Sequence, residues 1–515
     1  MSRSSDGRCA RVHGVKGATQ TLHQMTSYEP GRDWDVPVDD PRVLHDVEGI
    51  NDVNCLPWYF KRYDEPLPQV PLPRHLPVTA APAVAVLAGT ARVRHAELDL
   101  VQLSRLLHLT AGVVRTMERP YGTYLFRAAG SAGGRFPLEL YVAVPRPADQ
   151  WAARAERPAV GRAPATMGGG LPAGVHWYHP LDHALVQVGP PPRSGAPALI
   201  VTGVPWRTGW RYRERGYRHM HWDAGTMLAQ LLALADSAGL TAELQTVFPD
   251  AEVASLVGAD RVHEMPVAVV TMGDAVPALE ATGAAAAGRV DAAPVEFPLV
   301  TAAQQAGERG NLGPPWARGG PVDVPIHDTA PVESVVLARG STRLMDPRRG
   351  LPESFLRTAM SIALRGIDLP HRLAVHAVDG LSPGIYRWPD LSEPARFGAL
   401  RGDLYRVCLD QGLGRDAAFV VITTAHVNQL DDREYREAHL AAGVVEGRLH
   451  LLVFALGASA SGMTFIDSEV PALLDEPLDA LLFTCVGVPE YPSAAGGPPG
   501  APTAVRRVEP RIEDD

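Results

Sequence analysis

Two helix-length stretches of this chain match one another: RERGYRHMHWDAGTMLAQLLALADSAG (213–239) and DREYREAHLAAGVVEGRLHLLVFALG (432–457). Aligned without a gap, they share residue types at positions spread over the whole segment. A constant register over such a length indicates an internal repeat. The matched pairs, each 218 positions apart, are Tyr217 and Tyr435, Arg218 and Arg436, Gly225 and Gly443, and Gly239 and Gly457.

A second match supports the repeat: GLPAGVHWYHP (170–180) and GLSPGIYRWPD (380–390). The chain of 515 residues is also too long for a single hydrophobic core. We therefore predict a tandem of two related domains. A fold that elsewhere works as a dimer would then lie within one polypeptide. One half could lose functional residues that the other half keeps.

Composition narrows the class of protein. With 46% hydrophobic and 21% charged residues the chain is typical of a globular protein, and its net charge of −10 disfavours a nucleic-acid surface. No signal peptide and no run of about 20 apolar residues is seen, so we expect a cytoplasmic protein without a membrane partner. No CxxC spacing occurs, so neither a metal site nor a disulfide framework is predicted from Cys9, Cys55, Cys408 and Cys485.

Hydrophobic periodicity and Pro/Gly content divide the chain into α+β domains. The predicted parts are an N-terminal extension (1–75), a first domain (76–275), an Ala/Gly/Pro-rich and partly disordered linker (276–330) and a second domain (331–515). Helices are predicted at 97–114, 222–239, 352–365 and 435–456. Strands are predicted at 136–144, 198–204, 265–273, 372–378, 418–424 and 480–487.

Two motifs have the composition of ligand-binding loops. In RGSTR (339–343), two arginines flank a serine, which suits a phosphate monoester, although a solvated basic loop has the same composition. In RAAGSAGGRFPLELY (127–141), a turn of small residues enters a strand and would let the backbone approach a planar ligand. An ordinary Gly-rich turn is the alternative for this second motif.

Two further motifs are rich in arginine. WRYRERGYR (210–218) precedes a helix and is either a solvated helix start or part of a site in which guanidinium groups lower the pKa of a tyrosine. Arg506 and Arg507 near the C-terminus are either a basic ligand contact or an exposed tail.

Together these motifs resemble the nitroreductase-like FMN flavoprotein superfamily over residues 76–515. RGSTR is similar to its Arg-x-Ser-x-Arg phosphate motif, and GSAGGRFPLELY to its Ser-Ala-Gly-Gly-type turn and strand. VGVPEYP (486–492) with the terminal arginines resembles the closing strand end and its basic phosphate contact. RYRERGYRHMHWDAG resembles a Lys-Tyr segment of the SagB/ThcOx-type azoline dehydrogenases, which oxidise thiazolines and oxazolines in ribosomal peptides to azoles.

The resemblance implies an intrachain pseudo-dimer of two nitroreductase-like domains, with one complete FMN site and one inactive pseudo-site. Neither LAGTARVR (87–94) nor HRLAVHAVDGLSPG (371–384) keeps the motif expected in its half. A backbone amide facing the flavin N5 is implied in ALGASASGMTF (455–465). The implied cofactor contacts are Arg127, Ser131, Gly133 and Gly134 from the first half, and Arg339, Ser341, Arg343, Gly462, Met463, Arg506 and Arg507 from the second.

The family's Lys-Tyr pair corresponds to Arg211 and Tyr212. Arginine cannot serve as a base, so the hypothesis is Tyr212 as the base with Arg211 as its electrostatic partner. The alternative is that both residues only support the helix start.

The activity implied is FMN-dependent oxidation of azolines in a modified precursor peptide, with a cyclodehydratase as a candidate partner and a monomer or homodimer as the assembly. The alternatives are a nitro- or quinone-type reductase that uses NAD(P)H and a non-catalytic flavin-fold scaffold.

Overall fold

The structure is a computed structural model that describes residues 17–32, 37–43, 51–120, 122–146, 170–325, 329–506 and 508–509. Two mixed α+β halves pack against each other through a pair of long helices, one from each half. This arrangement has the tandem organisation predicted from the repeat.

The elements of the first half begin in the N-terminal arm. The arm contributes α1 (Ala18–Met25) and β1 (Gln69–Pro71). The elements that follow are α2 (Ala83–Ala88), α3 (Leu100–Ala111), β2 (Val113–Arg119), β3 (Gly122–Arg127), β4 (Leu138–Val144), β5 (Gly174–His179), β6 (Ala184–Gly189), β7 (Ala198–Gly203), α4 (Pro205–Tyr212), α5 (Gly216–Ser237), β8 (Ala242–Gln245), α6 (Asp250–Val257) and β9 (Met265–Met272).

A helix lies between the halves, and the second half then repeats the plan of the first. The intervening helix is α7 (Pro298–Ala306). The later elements are α8 (Val332–Ala338), β10 (Leu351–Pro352), α9 (Glu353–Ala363), β11 (His371–Val375), β12 (Val378–Asp379), β13 (Gly384–Arg387), β14 (Arg396–Phe397), α10 (Arg401–Val407), α11 (Gly412–Asp416), β15 (Phe419–Ala425), α12 (Asp432–Ala455), β16 (Ser459–Met463), α13 (Val470–Leu474), β17 (Asp479–Gly487) and β18 (Thr503–Ala504).

The main sheets of the two halves have the same topology within the described residues. The first sheet has the order β1-β6-β5-β4-β7-β9-β8, and the second has the order β14-β13-β11-β15-β17-β16. Apart from β1, which the N-terminal arm adds at one edge, the two orders correspond strand for strand. The duplication predicted from two short sequence matches is therefore confirmed at the level of the whole sheet.

The predicted helices and strands are present, with shifted ends. The helix predicted at 97–114 is α3, which begins after the N-cap Asp99 and ends at Ala111. Gly112 follows, and the chain enters β2, in which Val113 pairs with Arg127 of β3. The apolar residues that the sequence pattern predicted as the last helical turn are therefore part of a strand.

The two matched helices, α5 and α12, cross each other in the centre of the molecule. A Cβ on Gly225 would lie 2.1 Å from the Leu440 carbonyl oxygen, and one on Gly443 would lie 2.2 Å from the Trp222 carbonyl oxygen. The contacts are reciprocal, because Trp222 and Leu440 are also 218 positions apart. Glycine is needed here because the two backbones touch. The helix α12 is long and apolar enough to cross a membrane, yet 83% of its most apolar window is buried in the protein.

Buried ion clusters join the halves on both sides of this crossing. Each consists of two arginines from the start of one central helix and an aspartate from the other half. Asp467 accepts hydrogen bonds from Arg215 and Arg218 at 2.6 and 2.7 Å. Asp250 accepts from Arg433 and Arg436 at 2.8 and 3.2 Å. Arg215 and Arg433 extend the repeat, since they are again 218 positions apart.

The arm and the segment between the domains complete this symmetric interface. The Tyr217 hydroxyl donates to Gln304 of α7 at 3.1 Å, and the Tyr435 hydroxyl lies 3.2 Å from Nδ1 of His23 in α1. The predicted linker is therefore different from a partly disordered tether, because its described part contains α7, which packs on α12 and is hydrogen-bonded to Tyr217 of α5.

Candidate active site

The Gly-rich turn of the first half lies between β3 and β4. Gly133 and Gly134 have φ values of 56° and 64°, in the left-handed region that favours glycine. A Cβ on Gly133 would lie 2.6 Å from the Tyr212 hydroxyl, and one on Gly134 would lie 2.5 Å from the Tyr124 hydroxyl. The turn is thus packed closely between two tyrosines, one of which is the predicted catalytic residue.

A buried carboxylate fixes the conformation of this turn. Asp223 of α5 accepts hydrogen bonds from the Ser131 hydroxyl at 2.5 Å and from the Ala132 amide at 2.9 Å. The Ser131 oxygen also accepts from the Phe136 amide at 2.8 Å. Burial raises the pKa of Asp223 well above its ordinary value, against the effect of these hydrogen bonds. Asp223 was not predicted as a site residue from the sequence. The available signal was the position of an aspartate in an apolar helix.

The phosphate-type motif of the second half meets this turn. A Cβ on Gly130, next to Ser131, would lie 3.9 Å from the Ser341 hydroxyl. Arg339, at the end of α8, donates to the Ala128 carbonyl at 2.9 Å and to the Gln230 side chain at 3.4 Å. The structure therefore brings together two motifs that lie about two hundred residues apart in the chain.

The members of the RGSTR motif differ in their availability to a ligand. Arg339 is buried and binds protein acceptors, although its Nε has no hydrogen-bond partner among the described residues. Burial, reinforced by Arg115, lowers the pKa of Arg339 to about 10. Ser341 and Arg343 are exposed, and the Arg343 amide donates to the Tyr491 hydroxyl at 3.0 Å. Arg339 thus holds the two halves together, while the other two residues face outward.

The C-terminal segment returns to the first half. The strand β18 pairs in parallel with β2, with Thr503 opposite Arg115. Arg506 follows this strand and is exposed, whereas Arg507 lies outside the described residues. The second half therefore reaches the first through both its phosphate-type motif and its C-terminal segment.

The strand β16 contains the two residues predicted to face the flavin N5. A Cβ on Gly462 would lie 2.2 Å from Oε1 of Glu446, so glycine leaves room for this carboxylate. Glu446 also accepts a hydrogen bond from Thr226 of α5 at 3.3 Å, and His450 lies 3.3 Å from it. Met463 ends the strand and is buried. Glu446, which was not anticipated from the sequence, connects β16 to the first half.

The predicted catalytic pair lies at the end of α4. The Tyr212 ring stacks on His219 with centroids 4.0 Å apart, and Arg211 donates to Asn51 at 3.3 Å. Desolvation raises the pKa of Tyr212, and the opposing effects of Arg211 and Arg135 do not offset it. The guanidinium groups do act to lower this pKa, but burial has the larger effect, so the net pKa of Tyr212 is raised.

Arg127 is committed to protein acceptors. It donates to the Leu138 carbonyl at 2.6 Å and to the Tyr59 carbonyl at 3.1 Å, and burial lowers its pKa to about 10. With Ser131 and Asp223 it lines a cavity of about 20 Å³ behind the turn, which is room for one water molecule. These contacts join the end of β3 to the start of β4, on either side of the turn, and the direct cofactor contact that the resemblance implied stays a prediction.

The equivalent place on the other side of the pseudo-dimer is built differently. Residues 112–137 of the first half contain the β2–β3 ribbon and the turn, whereas only residues 364–370 join α9 to β11. A Cβ on Gly89, after α2, would lie 1.7 Å from Nη1 of Arg365. The segment between the domains also binds to the end of α2, since the Val322 amide donates to the Ala88 carbonyl at 2.9 Å.

Comparison with known proteins agrees with the fold. Residues 98–274 match the model of the Nitroreductase family. A solved structure assigned to the nitroreductases, from Anabaena variabilis, is 21% identical, covers 92% of this chain and is itself covered completely, with a TM-score of 0.63. The chain therefore has a nitroreductase-type α+β fold in tandem.

Other solved structures match shorter parts of the chain. One assigned to the nitroreductases, from Ralstonia eutropha, is 20% identical over 44% of this chain and 97% of its own, with a TM-score of 0.28. The E. coli microcin synthetase McbBCD complex with truncated pro-MccB17 is 21% identical over 35% of this chain and 64% of its own, with a TM-score of 0.26. These two TM-scores are too low to support an argument. No curated protein sequence matches the chain.

Proposed function

We propose that this chain is an FMN-dependent oxidoreductase that binds one FMN between its halves and oxidises azolines of a modified precursor peptide to azoles. The observation that carries the proposal is the junction of two motifs from opposite halves, with the Gly130 Cβ position 3.9 Å from the Ser341 hydroxyl. Each motif alone has an ordinary explanation. Their meeting at one interface is what a composite cofactor site requires.

The residue types of the two motifs and of the C-terminal segment suit a flavin phosphate and ring. Ser341 and the exposed cations Arg343 and Arg506 offer the hydroxyl and charge that a phosphate monoester needs. Gly133 and Gly134 let the turn adopt a left-handed conformation while it packs against Tyr212 and Tyr124. Bound FMN would supply the redox chemistry by accepting a hydride from the substrate carbon.

Tyr212 is the candidate proton acceptor, with Arg211 beside it. Because desolvation raises the pKa of Tyr212, the neutral phenol predominates near pH 7. As a base it would make turnover rise toward alkaline pH, and Tyr212→Phe would remove that alkaline rise. Full turnover by Tyr212→Phe with FMN retained would exclude the role.

A nitro- or quinone-type reductase that uses NAD(P)H is the second candidate, favoured by the match of residues 98–274 to the Nitroreductase family. Turnover of a thiazoline or oxazoline peptide in air without NAD(P)H would support the dehydrogenase. Oxidation of NAD(P)H coupled to a nitroarene or quinone, without azoline turnover, would support the reductase. A cyclodehydratase remains a candidate partner under the first outcome.

The stoichiometry of flavin tests the composite site directly. We expect purified protein to be yellow and to release one FMN per chain on denaturation. Two tightly bound FMN per chain would contradict the proposal of a single intact site. A colourless protein that takes up no added FMN would instead favour the scaffold.

A further inference from the structure

The repeat provides an alignment of the two central helices within one molecule. Matching positions of α5 and α12 include the contact between the two helices at Gly225 and Gly443. Positions that differ identify what one half has and the other lacks. Asp223 corresponds to Ala441, which is also buried, so the carboxylate occurs in only one of the two halves.

The difference coincides with the presence of the turn. Asp223 accepts hydrogen bonds from Ser131 and Ala132, whereas the short segment 364–370 between α9 and β11 has no counterpart of the Ser131–Gly134 turn that a carboxylate at position 441 could hold. Asp223 is 5% exposed and has no ion-pair partner among the described residues. Burial of a carboxyl group without a cation is costly, and the two hydrogen bonds are the compensation that the structure shows.

The bonds of Asp223 determine where the turn lies. One oxygen receives the Ser131 hydroxyl and the other the Ala132 amide, so the turn is held at two adjacent residues. Since Ser131 in turn accepts from the Phe136 amide, the connection spans both ends of the 131–136 loop. A rigid helix thus fixes the loop that carries the left-handed glycines.

We propose that Asp223 is the positioning residue of the composite site, which holds the Ser131–Gly134 turn in the conformation that receives the flavin ring. This inference rests on the proposed function for the identity of the ligand. It goes beyond that function by assigning a residue that acts through the turn and would not contact the cofactor.

The first test uses protein without flavin. In Asp223→Ala, amide hydrogen exchange over residues 128–137 should become faster by about tenfold or more, because two hydrogen bonds that close the loop are lost. Asp223→Asn keeps one acceptor, so its exchange rate should lie between those of the wild type and Asp223→Ala. Asp236→Ala is the matched control, since Asp236 lies on the same helix and binds Arg318 at 2.6 Å, away from the turn. Unchanged exchange in Asp223→Ala would overturn the proposal.

The second test uses FMN as the probe. The Kd of Asp223→Ala for FMN should rise by about tenfold or more, and the visible spectrum of the bound flavin should shift, with partial rescue in Asp223→Asn. A wild-type Kd and spectrum in Asp223→Ala would overturn the positioning role. If the wild-type protein binds no FMN, the proposed function fails, while the exchange experiment still decides whether Asp223 holds the turn.

Discussion

The two halves of this molecule share one interface but differ in their sites. The interface is reciprocal: Arg215 and Arg218 bind Asp467, and Arg433 and Arg436 bind Asp250. The turn and the RGSTR motif, by contrast, each occur once and in opposite halves. The symmetric contacts hold the pseudo-dimer together on both sides, so the duplicated chain kept them. The proposed single composite site would need each of its parts only once.

The largest expected effect comes from breaking one of the reciprocal ion clusters. Asp467→Asn leaves Arg215 and Arg218 buried without their counter-charge, and should lower the free energy of unfolding by about 3–5 kcal/mol. Asp250→Asn should cost a similar amount, because it removes the equivalent charge on the other side. Denaturant unfolding of both variants measures this, and a large effect in only one of them would contradict an equivalent role.

The same cluster predicts a pH dependence. Burial alone would raise the pKa of Asp467, but Arg215 and Arg218 outweigh it and lower this pKa to about 2. The folded-state pKa is below the unfolded value of about 3.9, so the stabilisation is complete above about pH 4 and is lost as the pH falls toward 2. Wild-type protein should therefore lose stability over this range more steeply than Asp467→Asn.

Substitutions at the crossing of α5 and α12 are expected to lower the free energy of unfolding nearly as much. Gly225→Ala places a Cβ 2.1 Å from a carbonyl oxygen of the other central helix, and should cost about 3 kcal/mol. Gly443→Ala should cost a similar amount, because its Cβ would lie 2.2 Å from the equivalent carbonyl oxygen of α5. Gly402→Ala in α10 is the control, because a Cβ there meets nothing within 4 Å and the helix gains stability. Tolerance of both central substitutions would refute close backbone packing.

Transferring the site carboxylate to the other half should have a moderate effect. Ala441→Asp places a carboxyl group at a buried position with no turn to bind, and should destabilise the protein by about 2 kcal/mol. The pKa of the new side chain should be raised, as burial raises that of Asp223. Thermal unfolding measures the cost, and a neutral result would show that position 441 has hydrogen-bond partners of its own.

The smallest effect is expected at the place of the implied pseudo-site, where Arg365 lies beside Gly89. The Arg365 side chain has no hydrogen-bond or ion-pair partner among the described residues, although it fills the space beside Gly89. Arg365→Ala should therefore change the free energy of unfolding by no more than about 0.5 kcal/mol. Flavin stoichiometry should stay at one per chain, because the substitution does not restore the missing turn. A second bound FMN would show that Arg365 alone blocks that site.

The sequence predicted the elements with strong periodicity and missed those that depend on distant partners. The central helices and the strands β4, β7 and β9 were visible because their apolar spacing is local. The internal repeat was visible because residue types match at a constant offset of 218 positions. Asp223 and Glu446 were not predicted, since a single acidic residue in an apolar helix gives no indication of what it binds. The net direction of the Tyr212 pKa shift could not be predicted, because the arginines that lower it are visible in the sequence and the burial that raises it is not.

By itself the sequence determined that two related domains lie in one chain and that each half keeps a different ligand-type motif, because repeats and motifs are properties of residue order. Only the tertiary structure decided that these motifs meet, that Arg339 and Arg127 bind the carbonyls of Ala128 and Leu138 on either side of the turn, and that the space beside Gly89 is filled. The physical reason is that a composite site depends on the crossing of α5 and α12, where the two backbones touch. That crossing sets the distance between residues far apart in the chain, which the order of residues does not contain.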